Sequence, residues 1–301
     1  MSSSPRVIKD AQSVDVPATL YHYTNQRGLL GIIQEQRIWA THTQYLNDRR
    51  EFALAIGTLR AEVDQRLREG GDNGFKAMLD AISGDRPTDQ QVSCLREMKE
   101  YLSTDGLERV NVCVCSFSAV RDSLSQWRAY GGSCGFALGF SGKDIRAAIA
   151  PERHVLVRCV YEAALQRAIA RDLIKELLEE NLARVGDSEV NGPPCGNLAA
   201  YLNKIAPMFK HESFSSEAEW RLITRPMRSG SSDFGFREGQ SSIVPYCKVP
   251  LWHKGRFPLV EVVIGPTIDP ERSAAAVQTL FISHGLKGVT VTVSEVPYRQ
   301  W

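Results

Sequence analysis

The chain lacks most of the features that would settle a function at once. No apolar run approaches the roughly 20 residues that span a bilayer. Met1–Asp10 is polar, so neither a membrane span nor a signal peptide is expected. Seven cysteines are spread over 301 residues without a Cys-x-x-Cys pair. An odd number with no framework speaks against a disulfide scaffold and for a reducing, cytoplasmic setting. The formal net charge is +1, so no global field points to nucleic acid or a membrane surface, although a local basic patch stays compatible with it. His211-Glu212 has no second histidine at metal spacing, and the six histidines are scattered; no metal site is expected. A G-x-S-x-G elbow, a Walker loop, G-x-G-x-x-G and H-E-x-x-H are all absent, which removes the common hydrolase, NTPase, dinucleotide-fold and zinc-protease signatures. There is no internal repeat.

What is present suits a globular protein, with 43% hydrophobic and 24% charged residues and enough length for a sizeable core. Residues 1–16 read as a flexible lead-in. Leu20–Thr24 alternates as a strand, and Gly28–Gln36 follows as a helix with Leu29, Leu30, Ile32 and Ile33 on one side. Ile38–Thr41 is extended. Asp48 opens a long helix with Glu51 three residues on, as in a capping box, and its stripe runs Phe52, Ile56, Leu59, Val63, Leu67. Residues 72–108 read as two helices in an insertion. Val110–Ser118, Gly135–Phe140 and His154–Tyr161 are strand patterns, with a short helix at Leu124–Tyr130. Glu162–Val185 is amphipathic, with Leu165, Ile169, Leu173 and Leu177 in register, and Leu198–Phe209 is again helical, so 162–210 forms a second insertion. Strands at Glu219–Thr224, Ile243–Val249, Leu259–Ile264 and Val289–Ser294, and a helix at Glu271–His284, complete one α+β domain over 17–301.

Four polar constellations are candidates for chemistry. His22 and Thr24 share a strand face just before a helix start, which suits a polar ligand; the plain alternative is a core histidine with a satisfied hydrogen bond. In Tyr45-Leu46-Asn47-Asp48-Arg49-Arg50, the Asn-Asp pair makes a turn and cap. Tyr45 could add a stacking ring there, and Arg49 or Arg50 a phosphate contact. Ser116 and Ser118 place two hydroxyls on one strand face, and Trp127, Arg128 and Tyr130 follow as a set suited to planar or anionic ligands. The alternative packs Trp127 in the core and pairs Arg128 with a carboxylate. Finally, Glu217 and Glu219 at i, i+2 on a strand would share a face and repel, so that one is exposed, paired or raised in pKa; such a pair can do general-base work, or can be a charged strand edge.

Together, YHYT–GLLGII, YLNDRREF, SFS–SQWRAYGG, EAEWRLI and VVIGP…VPYR resemble an uncharacterised bacterial family of unknown function over nearly the whole chain. More distantly, a histidine on the first strand, then Ser-x-Ser, then Glu-x-Glu resembles the ADP-ribosyltransferase superfamily, and YHYTNQRGLLGIIQEQRI is similar to the start of its DNA-modifying toxins. That resemblance implies an ADP-ribosyltransferase-like split β-sheet core with helical insertions. It implies NAD as cofactor, with His22 and Thr24 on its ribose or carboxamide and Tyr45 near the nicotinamide. Arg49 would contact phosphate or substrate, Glu219 the nicotinamide ribose, and Glu217 the acceptor. A carboxylate beside an oxocarbenium-like centre is the chemistry such a site needs. The expected function is ADP-ribosyl transfer to nucleic acid or protein, as in a toxin or phage-defence effector. The alternatives are an NAD glycohydrolase, or a non-enzymatic nucleotide- or nucleic-acid-binding module built on Trp127, Arg128 and Tyr130. The enzyme reading requires His22, Ser116 or Tyr45, and Glu219 to converge on one cleft; side chains on opposite sheet faces would remove it.

Overall fold

The computed structural model describes residues 6–46, 50–69, 89–103, 111–132, 134–149, 154–184, 197–227, 234–239 and 242–297. The chain forms two compact units. Residues 1–11, 46–111 and 160–212 make one, and residues 12–45, 112–159 and 213–301 make the other.

The first unit is helical. Arg50–Glu69, Asp89–Ser103 and Ala163–Arg184 pack against one another, and Leu198–Ile205 leads into the turn Ala206–Met208. The described parts of both stretches read as insertions fall in this unit as helices; the Asp48 capping box lies outside the described residues. Arg50–Glu69 buries Phe52, Ala55, Leu59 and Val63, one face at helical spacing. In Ala163–Arg184 the buried face differs from the expected stripe. Leu165 is exposed, and Gln166 is buried with Ala170, Leu173, Ile174 and Leu177. The reason is a hydrogen-bonding demand that hydropathy does not register. The Gln166 side-chain amide donates to the carbonyls of Val160 (2.7 Å) and Lys210 (2.9 Å), on either side of the Val160–Phe209 bridge. A further correction concerns the lead-in: Arg6–Ser13 is a helix, with Ile8 fully buried and the Arg6 amide donating to the Glu176 carboxylate (3.0 Å).

The second unit carries the sheet. Its strands are β1 (Thr19–Asn25), β2 (Arg37–His42), β3 (Cys113–Ser118), β4 (Gly135–Ser141), β5 (His154–Arg158), β6 (Glu219–Thr224), β7 (Phe234–Glu238), β8 (Ile243–Pro250), β9 (Leu259–Ile264) and β10 (Thr290–Val293). They run in the order β10-β9-β4-β1-β3-β2-β8-β7, and β6 and β5 branch from the second edge of β3. Among these strand pairings only β9–β10 is parallel. The α+β expectation therefore holds, with a mostly antiparallel sheet. The helices Gln26–Glu35 and Pro270–Ser283 supply Leu29, Ile32, Ile33, Val277 and Phe281 to the core over Leu20, Leu138, Phe140, Leu222 and Val262. Each helix starts on a side-chain cap: Asn25 accepts from the Gly28 amide and Asp269 from the Arg272 amide, both at 3.0 Å. β7 escapes sequence reading because Phe234-Gly-Phe-Arg-Glu238 is an edge strand without a clean apolar face, and Phe236 points to solvent. Among the described residues no helix is long and apolar enough to cross a membrane.

Gln166→Leu keeps the side-chain volume but removes two buried hydrogen bonds, while the Val160 carbonyl retains the Lys210 amide at 3.0 Å. It is expected to destabilise the protein by about 1–3 kcal/mol, read as a lower urea midpoint by circular dichroism. An unchanged midpoint would mean that the Gln166 bonds carry no net stability.

Candidate functional site

Antiparallel pairing brings three distant motifs side by side. Tyr21 of β1 lies opposite Ser118 of β3, and Ser118 lies opposite Glu219 of β6. Residues directly opposite one another share a sheet face, and side chains alternate along each strand. Tyr21, Ser116, Ser118, Glu219 and Arg221 therefore line one face. His22 and Thr24 line the other with Cys115 and Phe117. The contacts agree: His22 Nδ1 lies 3.5 Å from Cys115 Sγ, and the His22 ring meets Phe117 edge-on at 6.0 Å. The predicted histidine and carboxylate do not converge, so the residue set expected around NAD does not assemble.

His22 has a structural task instead. One edge of β3 is shared by two strands: its Ser118 end pairs with β1, its Cys113–Val114 end with β2. At this fork the Ser116 carbonyl accepts a hydrogen bond from His22 Nδ1 at 2.9 Å, which sets the proton on that nitrogen. Burial pushes the His22 pKa below its ordinary 6.5; the bond to Ser116 opposes this, and the positive charge of Arg237 adds to it. Thr24 packs over the first turn of the next helix, where a Cβ on Gly28 would sit 1.9 Å from its hydroxyl oxygen.

Glu219 is held by Arg221, Nε to Oε1 at 2.8 Å and the guanidinium to Oε2 at 3.1 Å, with both side chains buried. The bidentate hold occupies one acceptor position on each carboxylate oxygen. Glu217 is not on the strand. It ends the turn Glu212–Glu217, and Ala218 has φ of 42°, so the expected i, i+2 repulsion along a strand does not arise. The Glu217 carbonyl accepts from the Ser118 hydroxyl (2.7 Å), which in turn accepts from the Val120 amide (3.0 Å). Ser118 thus braces a turn. Ser116 is half-buried on the Glu219 face.

Trp127 is a core residue. It is buried, stacks edge-on against Tyr23 at 4.7 Å, and donates to Asp122 at 2.6 Å. Asp122 also accepts from the Ser294 hydroxyl and the Glu295 amide. Burial raises its pKa, but these bonds together hold it below the usual carboxylate range. Arg128 and Tyr130 are exposed on the same turn, so the three side chains form no common platform. Tyr45 is exposed and meets His42 edge-on at 5.8 Å. Arg49 lies outside the described residues, as do Asn47 and Asp48.

Sequence reading missed a cavity in this unit. It has a volume of about 430 Å³, and its lining includes Arg37, His154, Arg225, Phe234 and Lys248. No described carboxylate lines it. Glu35 stands beside it, bound to Lys248 Nζ at 2.7 Å and to Trp39 Nε1 at 3.1 Å. The contributing positions lie at or near strand ends, far apart in the chain, so no spacing in the sequence marks them. Among the described residues no group of three or more histidine, cysteine, aspartate or glutamate side chains could hold a metal ion.

The His22 geometry predicts a pH dependence. The folded chain keeps the imidazole neutral, while the unfolded chain takes up a proton as pH falls below 6.5. This contribution to stability is complete above that value and is lost below it. His22→Leu is expected to lower stability by about 1–3 kcal/mol at pH 8, through the stranded Ser116 carbonyl. It is also expected to flatten the fall in stability below pH 6.5. Urea unfolding across pH measures both; an unaltered profile would remove His22 from this role.

No curated protein and no solved structure matches the chain. Residues 126–222, from the Trp127 turn through β4 and β5 to the Glu219–Arg221 pair of β6, match the model of a family described as a protein of unknown function (DUF2971), which supports the expected kinship with an uncharacterised family.

Proposed function

We propose that this protein is a binding module for a phosphate-bearing nucleotide, seated in the cavity of the sheet unit. The observation that carries the reading is the cavity's charge. Arg37, Arg225 and Lys248 line one space of about 430 Å³, with no described carboxylate in the lining. That volume falls within the roughly 300–1,000 Å³ typical of small-molecule sites. Phosphate is the ligand group that planar guanidinium forks and a lysine ammonium recognise best. Phe234 and Met227 add an apolar wall. This moves the binding-module reading away from Trp127, which the core occupies.

NAD-dependent ADP-ribosyl transfer is the second reading. What favours it is the placement of the His22, Ser116-x-Ser118 and Glu219 strands as neighbours, β1-β3-β6, beside a fork in the sheet. Against it stand the opposite faces of His22 and Glu219 and the hold of Arg221 on Glu219.

Titration of the full chain with NAD and ATP, with nicotinamide release followed in parallel, separates the two. The expected result is nucleotide binding without nicotinamide release, weakened at least tenfold, or about 1.4 kcal/mol, by Arg37→Ala or Arg225→Ala. Nicotinamide release that is abolished by Glu219→Gln would overturn this in favour of transfer or NAD hydrolysis. Absence of any nucleotide binding would end the binding-module reading.

A further inference from the structure

We infer that Arg237 and Thr41 form a binding site for an oxyanion, the carboxylate or phosphate group of a small ligand, at the fork of the sheet. The site is separate from the cavity. Arg237 lies opposite Val244, four residues along β8 from Lys248, or roughly 13 Å at the rise of a strand.

Register brings the two residues together. Gly235 of β7 lies opposite Tyr246 of β8, and Tyr246 lies opposite Thr41 of β2. Arg237, two residues beyond Gly235, therefore shares a face with Thr41. Its guanidinium reaches across β8 and donates to the Thr41 hydroxyl at 3.2 Å. Thr41 itself lies opposite Val114, next to the point where the edge of β3 passes from β2 to β1. The His22–Ser116 bond closes that fork, and the charge of Arg237 is felt by the His22 ring there.

What Arg237 lacks is a counter-ion. It is half-buried, and a guanidinium does not shed its proton to escape burial. Among the described residues no carboxylate pairs with it, and Thr41 is neutral. Glu238, next on the strand, falls on the opposite face and is held by Arg27 at 3.1 Å, in a pair open to water. Burial first, and then the like charge of Arg27, keep the Arg237 pKa below its ordinary value, while Tyr246 opposes them. A charge withdrawn from water without an internal partner is costly, and an anion from outside offsets that cost. The donors for it are in place. One of the five guanidinium N–H groups goes to Thr41, which leaves others, and Thr41 accepts that bond and so keeps its own O–H to donate. Guanidinium and hydroxyl together suit the oxygens of one carboxylate or phosphate group.

The His22 ring reports on the fork, and the His154 ring, in the lining of the cavity, reports on that space. Orthophosphate and acetate are titrated into the isotope-labelled full chain at constant ionic strength, balanced with chloride, and both rings are followed by NMR. Wild type is compared with Arg237→Gln, Thr41→Val and a control, Arg158→Gln, at an exposed position of β5. Each variant is checked for wild-type circular dichroism. At least one of the two anions is expected to move the His22 signals saturably in wild type. Arg237→Gln should weaken that binding roughly tenfold or more, through the loss of a charge-assisted hydrogen bond. Thr41→Val should weaken it several-fold, and Arg158→Gln should leave it unchanged. Tighter orthophosphate assigns the ligand group as a phosphate and tighter acetate as a carboxylate; either result supports the inference. Saturation at His154 alone places the anion in the cavity and overturns the inference while the nucleotide reading stands. A His22 response that is absent, or that Arg237→Gln leaves unchanged, overturns it too. Should Arg237→Gln fail the fold check, Thr41→Val decides by the same rule.

Discussion

One strand edge organises the sheet unit. β3 offers a single row of backbone groups on that side, and two strands compete for it, β1 at the Ser118 end and β2 at the Cys113 end. Where they part, the half-buried Ser116 carbonyl is met by a side-chain donor. The His22 imidazole provides it. The same bond sets which face His22 occupies. Alternation then fixes the rest: Tyr21 falls in the row with Ser118 and Glu219, and His22 one step away falls behind it. In a sheet, a difference of one residue exchanges the two faces.

A buried ion pair imposes a second constraint. Glu219 and Arg221 are nearly inaccessible, and each would be expensive alone in that setting. Bound to one another bidentately, the two charges offset much of that cost. That favours a pair retained for structure over a carboxylate held ready for chemistry. The cavity presents the opposite condition. Its cations lie at or near strand ends, and Lys248 is bound to Glu35 through a partly exposed pair.

Much of the secondary structure was legible because it rests on local rules. Alternation in β1, β3, β4 and β9 and glycine after the Trp127 turn act over a few residues. Misreadings came where a long-range partner decided the outcome. Gln166 turns inward, where its amide donates to the Val160 and Lys210 carbonyls, and Leu165 on the neighbouring helix position is exposed. Glu217 leaves the strand because Ala218 reverses the backbone beside the Ser118 hydroxyl. β7 borrows its order from β8, with little apolar pattern of its own. The motifs quoted for the ADP-ribosyltransferase resemblance do lie on neighbouring strands, so their proximity was legible, but the direction of each side chain was not.

The amino-acid sequence by itself determined that this is an α+β chain with no membrane-length apolar run. It also determined where most strands and helices lie, because hydrophobic period is a property of short segments. Only the tertiary structure decided which candidate residues share a face. Register depends on pairings between segments some 90 to 200 residues apart, as Tyr21, Ser118 and Glu219 show. It likewise decided that Trp127 belongs to the core and that Arg37, Arg225 and Lys248 belong to one cavity. Facing is set by hydrogen bonds across strands and charge by proximity in space, and neither is encoded in the spacing of residues along the chain.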